Sequence, residues 1–333
     1  MRLLVLGASE VHRLLSQADC AGAMREVLAA SARGEVHQPL RTIIRPPGAA
    51  GMMALMPAYQ AATAEAPGTP GYGLKAICIH PGNPAAGLDA HQGVVLLSSA
   101  ATGEPLAVLN ASAVTEVRTA AVSAVATSLL ARADADRLAI VGTGVQARSH
   151  LLAIAAARPL TQVRVAGRDP ARARRFAEAM NGRTPVPVTA CDSAAEAVAG
   201  TGIIVTATSS ADPVLRKEWL TPGVHINAVG ACVPKARELD TETMAAAALF
   251  ADSRESVTSE AGDFLLAQAE GAIGPDHIRA ELGEVLTGTA AGRASAEEIT
   301  VFESLGLAVE DLAAATLAYQ KAAREGAGSW VEF

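Results

Sequence analysis

Residues 137–157 read RLAIVGTGVQARSHLLAIAAA: an apolar run, two glycines one residue apart, then an alanine-rich stretch with helical spacing. Few backbones satisfy that order. A buried strand must turn sharply into a helix, and Gly142-Thr143-Gly144-Val145-Gln146-Ala147 is the G-x-G-x-x-A form of that turn. The first glycine makes the tight turn. The second admits a close approach of backbone to a pyrophosphate, and the small third residue lets helix pack on strand. The helix N-terminus then offers unpaired N–H groups to an anion. A second apolar run, TQVRVAGRD (161–169), follows at the separation such a unit requires. The pattern predicts a dinucleotide site at Gly142, Thr143, Gly144, Val145, Gln146 and Ala147.

Three more apolar runs continue the theme: GIIVTATSS (202–210), HINAVGA (225–231) and AALFADS (247–253). Strands alternating with helices require right-handed crossovers and a parallel sheet buried on both faces. The ends of such strands face the ligand crevice, which makes Thr206, Thr208 and Val229 candidate cofactor contacts. Upstream, the runs at 41–45, 52–56, 74–80, 94–98 and 105–110 are short and β-like. Glycine- and proline-rich turns, including PGTPGYG (67–73), separate them. They predict a mixed sheet following a helix over 19–33. At Thr119 the character changes to an alanine-rich helix (119–132), and a last helix starts near Gly306. The expected architecture is α/β: a Rossmann-type, doubly wound parallel sheet over 119–307, plus a mixed α+β domain over 1–118 joined by the C-terminal helix 308–333.

Composition narrows the partners. The chain has 27 Lys and Arg against 34 Asp and Glu, and only 3% aromatics. It lacks the positive balance and stacking platforms that nucleic-acid binding needs. The uncharged run 46–64 contains Pro46, Pro47, Gly48, Gly51 and Pro57 and cannot form a spanning helix. No membrane association is expected. Cys20, Cys78, Cys191 and Cys232 show neither C-x-x-C nor zinc-ligand spacing, so we expect no metal, reduced thiols and a cytoplasmic location.

The end of the second strand selects the dinucleotide. An acidic residue there would bind the ribose 2′-hydroxyl and repel a 2′-phosphate. Here Gly167 leaves room and Arg168 offers a planar fork, with Arg172 and Arg174 nearby. Asp169 precedes Pro170 and reads as a helix cap. NADP(H) is therefore preferred over NAD(H), which stays open.

Several segments together resemble the ornithine cyclodeaminase/mu-crystallin family: QPLRTII (38–44), LMPAY (55–59), LKAI, GNP and HQGVVLL, VTEVRTAAVSAVAT (114–127), VGTGVQARSH (141–150), INAVGA with REL, and FESLGLAVED (302–311). The resemblance covers nearly the whole chain and is closest to the ketimine reductases. It implies a first domain that carries substrate residues and pairs two subunits as a homodimer. The cofactor lies between that domain and the second, and hydride transfer interconverts imino and amino acids. It also places Arg41, Lys75 and Arg118 at the substrate. An arginine fork can hold an α-imino acid's carboxylate in bidentate fashion. Lys75 could orient that carboxylate or give the imine nitrogen a proton, the catalytic role. Thr119, at a helix start, and Gly306, in the FxSLG segment, join the cofactor candidates.

One position departs from the resemblance. Ornithine cyclodeaminases carry an aspartate in the turn after the INAVG strand, where this chain has Cys232. A thiol does not replace a carboxylate, and its ordinary pKa is near 8.5. The expected activity is therefore NAD(P)H-dependent reduction of a cyclic imino acid, Δ1-pyrroline-2-carboxylate or its six-membered homologue, to L-proline or L-pipecolate. The alternatives are an alanine-type dehydrogenase, an ornithine cyclodeaminase, or a non-catalytic NADP-dependent small-molecule binder. His80 and His91 read as loop histidines. Glu260 and Asp263 read as acidic residues acting on a helix dipole.

Overall fold

The computed structural model describes residues 2–61 and 70–333. It divides into two compact units, Met1–Arg118 with Gly306–Phe333, and Thr119–Leu305. In chain order, the first unit contains β1 (Arg2–Leu6), α1 (Ala8–Leu14), α2 (Gln17–Ala32), β2 (Val36–His37), β3 (Thr42–Ile44), β4 (Met52–Gln60), β5 (Pro70–Ile79), β6 (His91–Ser99) and β7 (Pro105–Asn110). The unit boundary falls within α3 (Ala111–Leu130). The second unit continues with β8 (Arg137–Val141), α4 (Val145–Ala157), β9 (Gln162–Ala166), α5 (Pro170–Met180), β10 (Val188–Ala190), α6 (Ala194–Val198), β11 (Ile203–Thr206) and β12 (His225–Ala228). It ends with α7 (Thr241–Ala246), β13 (Ala248–Ala251), α8 (Arg254–Glu260), α9 (Gly262–Ala269), β14 (Ile278–Glu281), α10 (Leu282–Thr287) and β15 (Thr300–Glu303). α11 (Ala308–Glu325) and β16 (Ser329–Glu332) belong to the first unit.

The sheet of the first unit runs β16-β1-β7-β6-β5-β4-β2, with β3 on β4. Among the described residues of this sheet, the β1–β7 pair alone is parallel. β1 and β16 were not evident as strands from the sequence. Period-two alternation sorts the side chains. Ala54, Met56, Ala58, Ile77, Val95 and Leu97 point inward and are buried, and α11 packs on β4, β5 and β6 there. Gly73 permits that packing: a Cβ at this position would lie 3.0 Å from Leu312 of α11. The opposite face presents Ile44, Met53, Leu55, Leu74, Ala76, Val94 and Leu96. None of these side chains is buried, although the face is apolar. The turn expected at 67–73 lies outside the described residues over 67–69. The uncharged run 46–64 holds a turn and β4, and residues 62–64 lie outside the described part.

The second unit carries an eight-stranded sheet, β10-β9-β8-β11-β12-β15-β13-β14, parallel throughout. Both faces are covered. Leu138, Ile140, Ile203 and Val205 enter one core, while Ala139, Val141, Ile204 and Ile226 enter another. That is why Leu138–Val141 and Ile203–Val205 read as unbroken apolar runs. From β8 the chain winds first to β9 and β10, then returns to β11 on the other side, so the switch point lies between β8 and β11.

Two expectations need correction. The C-terminal helix expected over 308–333 ends at Glu325, where Gly326 caps it in the left-handed conformation, and β16 follows. The helix expected to begin at Thr119 begins at Ala111, because the Asn110 side chain accepts the Ala113 N–H at 2.9 Å and caps it. Arg118 and Thr119 therefore sit in mid-helix, not at a helix start. Among the described residues, α3 is the one helix long and apolar enough to cross a membrane. Its apolar window is 78% buried, as in a core helix.

Candidate active site

In the first unit, three elements converge on one buried ionic group. β5 supplies Lys75, α3 supplies Arg118, and the first turn of α11 supplies Glu310 and Asp311; all four are at least 95% buried. Asp311 Oδ1 accepts from Arg118 Nε at 2.9 Å, and Asp311 Oδ2 pairs with Lys75 Nζ at 2.6 Å. Arg118 Nη1 donates to Glu310 Oε2 at 2.8 Å. Lys75 Nζ also reaches Thr115 Oγ1 at 3.5 Å. Arg41 joins from the loop before β3, where its Nη2 donates to the Gly306 carbonyl at 2.9 Å. Gly306, at φ +79°, lies flat against the Arg118 guanidinium, with no room for a side chain. The structure thus brings Arg41, Lys75 and Arg118 together and sets Gly306 among them.

Burial governs the charge states here. It pulls the Lys75 ammonium down to about 8, a fall that Asp311 opposes and that Arg118 and Arg41 reinforce. For Asp311, burial pushes the carboxyl up, but the Arg118 and Lys75 charges more than offset it and hold the group below its ordinary range. Formally, three cations face two carboxylates.

The second unit builds the dinucleotide turn. Gly142 adopts φ +130° at the end of β8, and a Cβ there would lie 2.4 Å from the Ala207 carbonyl that follows β11. Gly144 is the N-cap of α4, and open space surrounds its missing Cβ. Thr143 lies beside Gly167, where a Cβ would come within 3.0 Å of its methyl. Val145 and Gln146 open the helix, and Ala147 is fully buried beneath it. Tight turn, open second glycine and small third residue are what a pyrophosphate needs, so the residues fit a nicotinamide dinucleotide. Arg168 is exposed past β9, and no hydrogen bond or ion pair from it is found among the described residues. Asp169 caps α5 by accepting the Ala171 N–H at 2.8 Å.

At the C-terminal sheet edge, Glu238 accepts from Thr208 N at 2.6 Å and Gly230 N at 2.7 Å. It thereby ties together the segments after β11 and β12, with Thr206 and Val229 buried beside them. Asp263 does not simply face its helix dipole: its Oδ1 accepts the backbone N–H groups of Glu238 and Leu239, both at 2.8 Å. Asp252 accepts Leu305 N at 2.7 Å. Burial, then the neighbouring carboxylates, raises Glu303 well above the ordinary range, and burial likewise raises Asp263. Among the described residues no group of three such donors could hold a metal ion. Cys232 sits by the Val229 and Ser304 carbonyls, with Sγ at 3.4 and 3.8 Å.

The sequence reading missed Glu310, Asp311, Glu238 and Glu303. The AVED tetrad looks like an ordinary acidic first turn, and only the packing of α11 on β5 reveals that two of its side chains are buried.

Fold and glycine turn together define an NAD(P)-dependent oxidoreductase. The ornithine cyclodeaminase/mu-crystallin family model matches residues 1–326, and the chain belongs to that family. It is 43% identical over 286 residues to the mouse ketimine reductase mu-crystallin, covering 86% of this chain and 85% of the relative. Among solved structures, Thermococcus litoralis Δ1-pyrroline-2-carboxylate reductase in complex with NADH and L-proline superposes with a TM-score of 0.93 at 36% identity. That match covers 98% of this chain and 99% of the other. An archaeal alanine dehydrogenase dimer with bound NAD superposes at 0.92 with 33% identity, covering all of both chains.

Proposed function

We propose that the protein reduces a cyclic α-imino acid at its C=N bond to the corresponding L-amino acid, with Δ1-pyrroline-2-carboxylate or its six-membered homologue as substrate. The observation that carries this reading is the convergence of the half-buried Arg41 on the buried Lys75 and Arg118, three cations from three elements held around Asp311, Glu310 and the Gly306 carbonyl. Such cations suit the carboxylate of a small acid, and arginine forks fix that carboxylate's orientation. A pinned carboxylate fixes the adjacent C=N, and such positioning lowers the barrier substantially.

When bound, the reduced nicotinamide supplies a hydride for the imine carbon. Lys75 gives a proton from Nζ to the imine nitrogen, which makes the carbon a stronger acceptor. Lys75 is left as a neutral amine and regains its proton from water. A lysine held near 8 by burial suits the task, since a proton donor works best with its pKa close to the working pH. Gly142, Thr143, Gly144, Val145, Gln146 and Ala147 would hold the pyrophosphate, and Arg168 a 2′-phosphate, which favours NADP(H). Thr206, Thr208 and Val229, at the ends of β11 and β12, would line the rest of that site. Thr119 would join them from α3.

The uncovered apolar face of β3–β6 supports a homodimer, because an apolar surface of this extent marks an association site. The four free thiols support a reducing, cytoplasmic location. Cys232 in place of a carboxylate speaks against cyclodeamination. The alanine-dehydrogenase reading keeps one support, the family neighbour of that activity.

Purified protein with NADPH is to be given Δ1-pyrroline-2-carboxylate, Δ1-piperideine-2-carboxylate, or pyruvate with ammonia. Cofactor oxidation with the cyclic imines alone is expected. Oxidation with pyruvate and ammonia alone overturns the proposal in favour of the dehydrogenase. Tight NADPH binding without turnover leaves a binding protein. In the same assay Arg168→Ala should weaken NADPH about tenfold and leave NADH unchanged; unchanged NADPH affinity removes the NADP(H) preference.

A further inference from the structure

Asp311 touches both of the side chains that the proposed reaction asks most of, and nothing in the sequence reading gave it a role. Its two oxygens divide between them: Oδ1 takes Arg118 Nε at 2.9 Å, and Oδ2 takes Lys75 Nζ at 2.6 Å. Glu310, its neighbour, contacts Arg118 at 2.8 Å, and its Oε2 also accepts Leu307 N at 3.1 Å in the helix cap. One carboxylate therefore bridges the two cations, and the other pairs with Arg118 and the helix cap. α11 presents both because Gly73 lets it press onto β5 beside Lys75.

Building on the reading above, we propose that Asp311 is a positioning residue: a buried carboxylate that clamps Arg118 and Lys75 to one another, aims both at the bound acid, and keeps Lys75 supplied with the proton it donates.

The charges around Lys75 can be enumerated by element. α11 contributes Asp311 and Glu310, α3 contributes Arg118, and the loop before β3 contributes Arg41. β6 contributes His91, which burial and then the Lys75 and Arg118 charges hold below the ordinary imidazole range. β4 carries no ionisable side chain except Tyr59, at its far end. Burial, Arg118 and Arg41 all disfavour the ammonium, and Asp311 is the carboxylate that favours it. Removing that charge while keeping the shape lets the ammonium lose its proton at lower pH. An opposite charge at this distance is worth about 1–3 pH units.

The experiment uses the full-length protein and two readouts. In the first, acetic anhydride labels lysines competitively across a pH series, and mass spectrometry reads Lys75 against Lys217 as an internal control. The wild-type Lys75 midpoint should fall near 8. In Asp311→Asn it should drop by about one unit or more, whereas Glu310→Gln should move it less. In the second, kcat for imine reduction is followed against pH. Activity should fall as pH rises through the same midpoint, and Asp311→Asn should shift that limb downward, costing about fivefold or more in kcat at pH 8 with little change in KM for cofactor. Asp311→Glu, which restores the charge, should return both midpoints toward wild type and guards against a folding defect in the asparagine variant. A Lys75 labelling midpoint that stays put in folded Asp311→Asn overturns the inference. A labelling midpoint that drops as expected in Asp311→Asn, with the wild-type protein inactive on every imine, would sink the proposed function and leave the charge coupling standing.

Discussion

Arg118 holds two carboxylates on one guanidinium, and a lysine cannot copy that. Nε and Nη1 diverge in a plane, and each meets its own acid; an ammonium is a single point. Arg118→Lys should therefore keep the charge, lose the geometry, and raise KM for the imino acid about tenfold or more while the cofactor KM holds. Steady-state kinetics with each substrate varied in turn checks this, and an equal rise in both constants would show a general loss of structure instead. At this scale the sequence was legible for the cations but not for their counter-ions. Arg41, Lys75 and Arg118 stood in recognisable segments. Glu310 and Asp311 sat in a stretch that any surface helix could begin with, and only tertiary packing decides that they are dry.

Among elements, the parallel sheet was the easiest to read. β8, β11 and β13 are buried on both faces, so each reads as a nearly continuous apolar run, and the glycine turn marks where the first becomes a helix. Edges were harder. β1 and β16 are short, and β16 has hydrogen-bonded neighbours on one side only; little in their composition separates them from coil. The start of α3 was misplaced because Asn110 both ends a strand and caps a helix.

The C-terminal edge of that sheet also stores unfavourable charge. Glu303, at the end of β15, has a folded pKa raised by burial and by Asp263, Glu238 and Asp252. A carboxyl whose folded value exceeds its unfolded one, about 4.3, costs no stability below that unfolded value. Its cost grows as pH rises toward the folded value. Glu303→Gln should therefore raise the melting temperature at pH 8 by roughly 3 °C and change it little at pH 4. Scanning calorimetry at the two pH values checks it; a variant less stable at pH 8 would mean that the ionised carboxylate is favourable there.

For the whole molecule, the outer face of β3–β6 poses a plain question of solvation. Ile44 and Met53 pair across β3 and β4 at 47% and 37% exposed, and Val94 on β6 is 42% exposed. Pairing two copies through this face would remove it from water. Sedimentation should show a dimer for the wild type, and Ile44→Glu should shift the equilibrium to monomer. A monomeric wild type would assign the face to something else. Alternation along these strands was readable as β structure, but their two-sided apolarity was not readable as an interface. Sequence period two says which side chains share a face, not what covers it.

The proposed chemistry turns on where a small acid's carboxylate comes to rest. A crystal of the protein with NADP+ and pyrrole-2-carboxylate, a flat unreactive mimic of the cyclic imine, measures this directly. The carboxylate should lie within hydrogen-bonding distance of Arg41, Lys75 and Arg118, with the ring nitrogen toward Lys75 Nζ. A mimic bound elsewhere, with these three side chains still closed on Glu310, Asp311 and the Gly306 carbonyl, would contradict it.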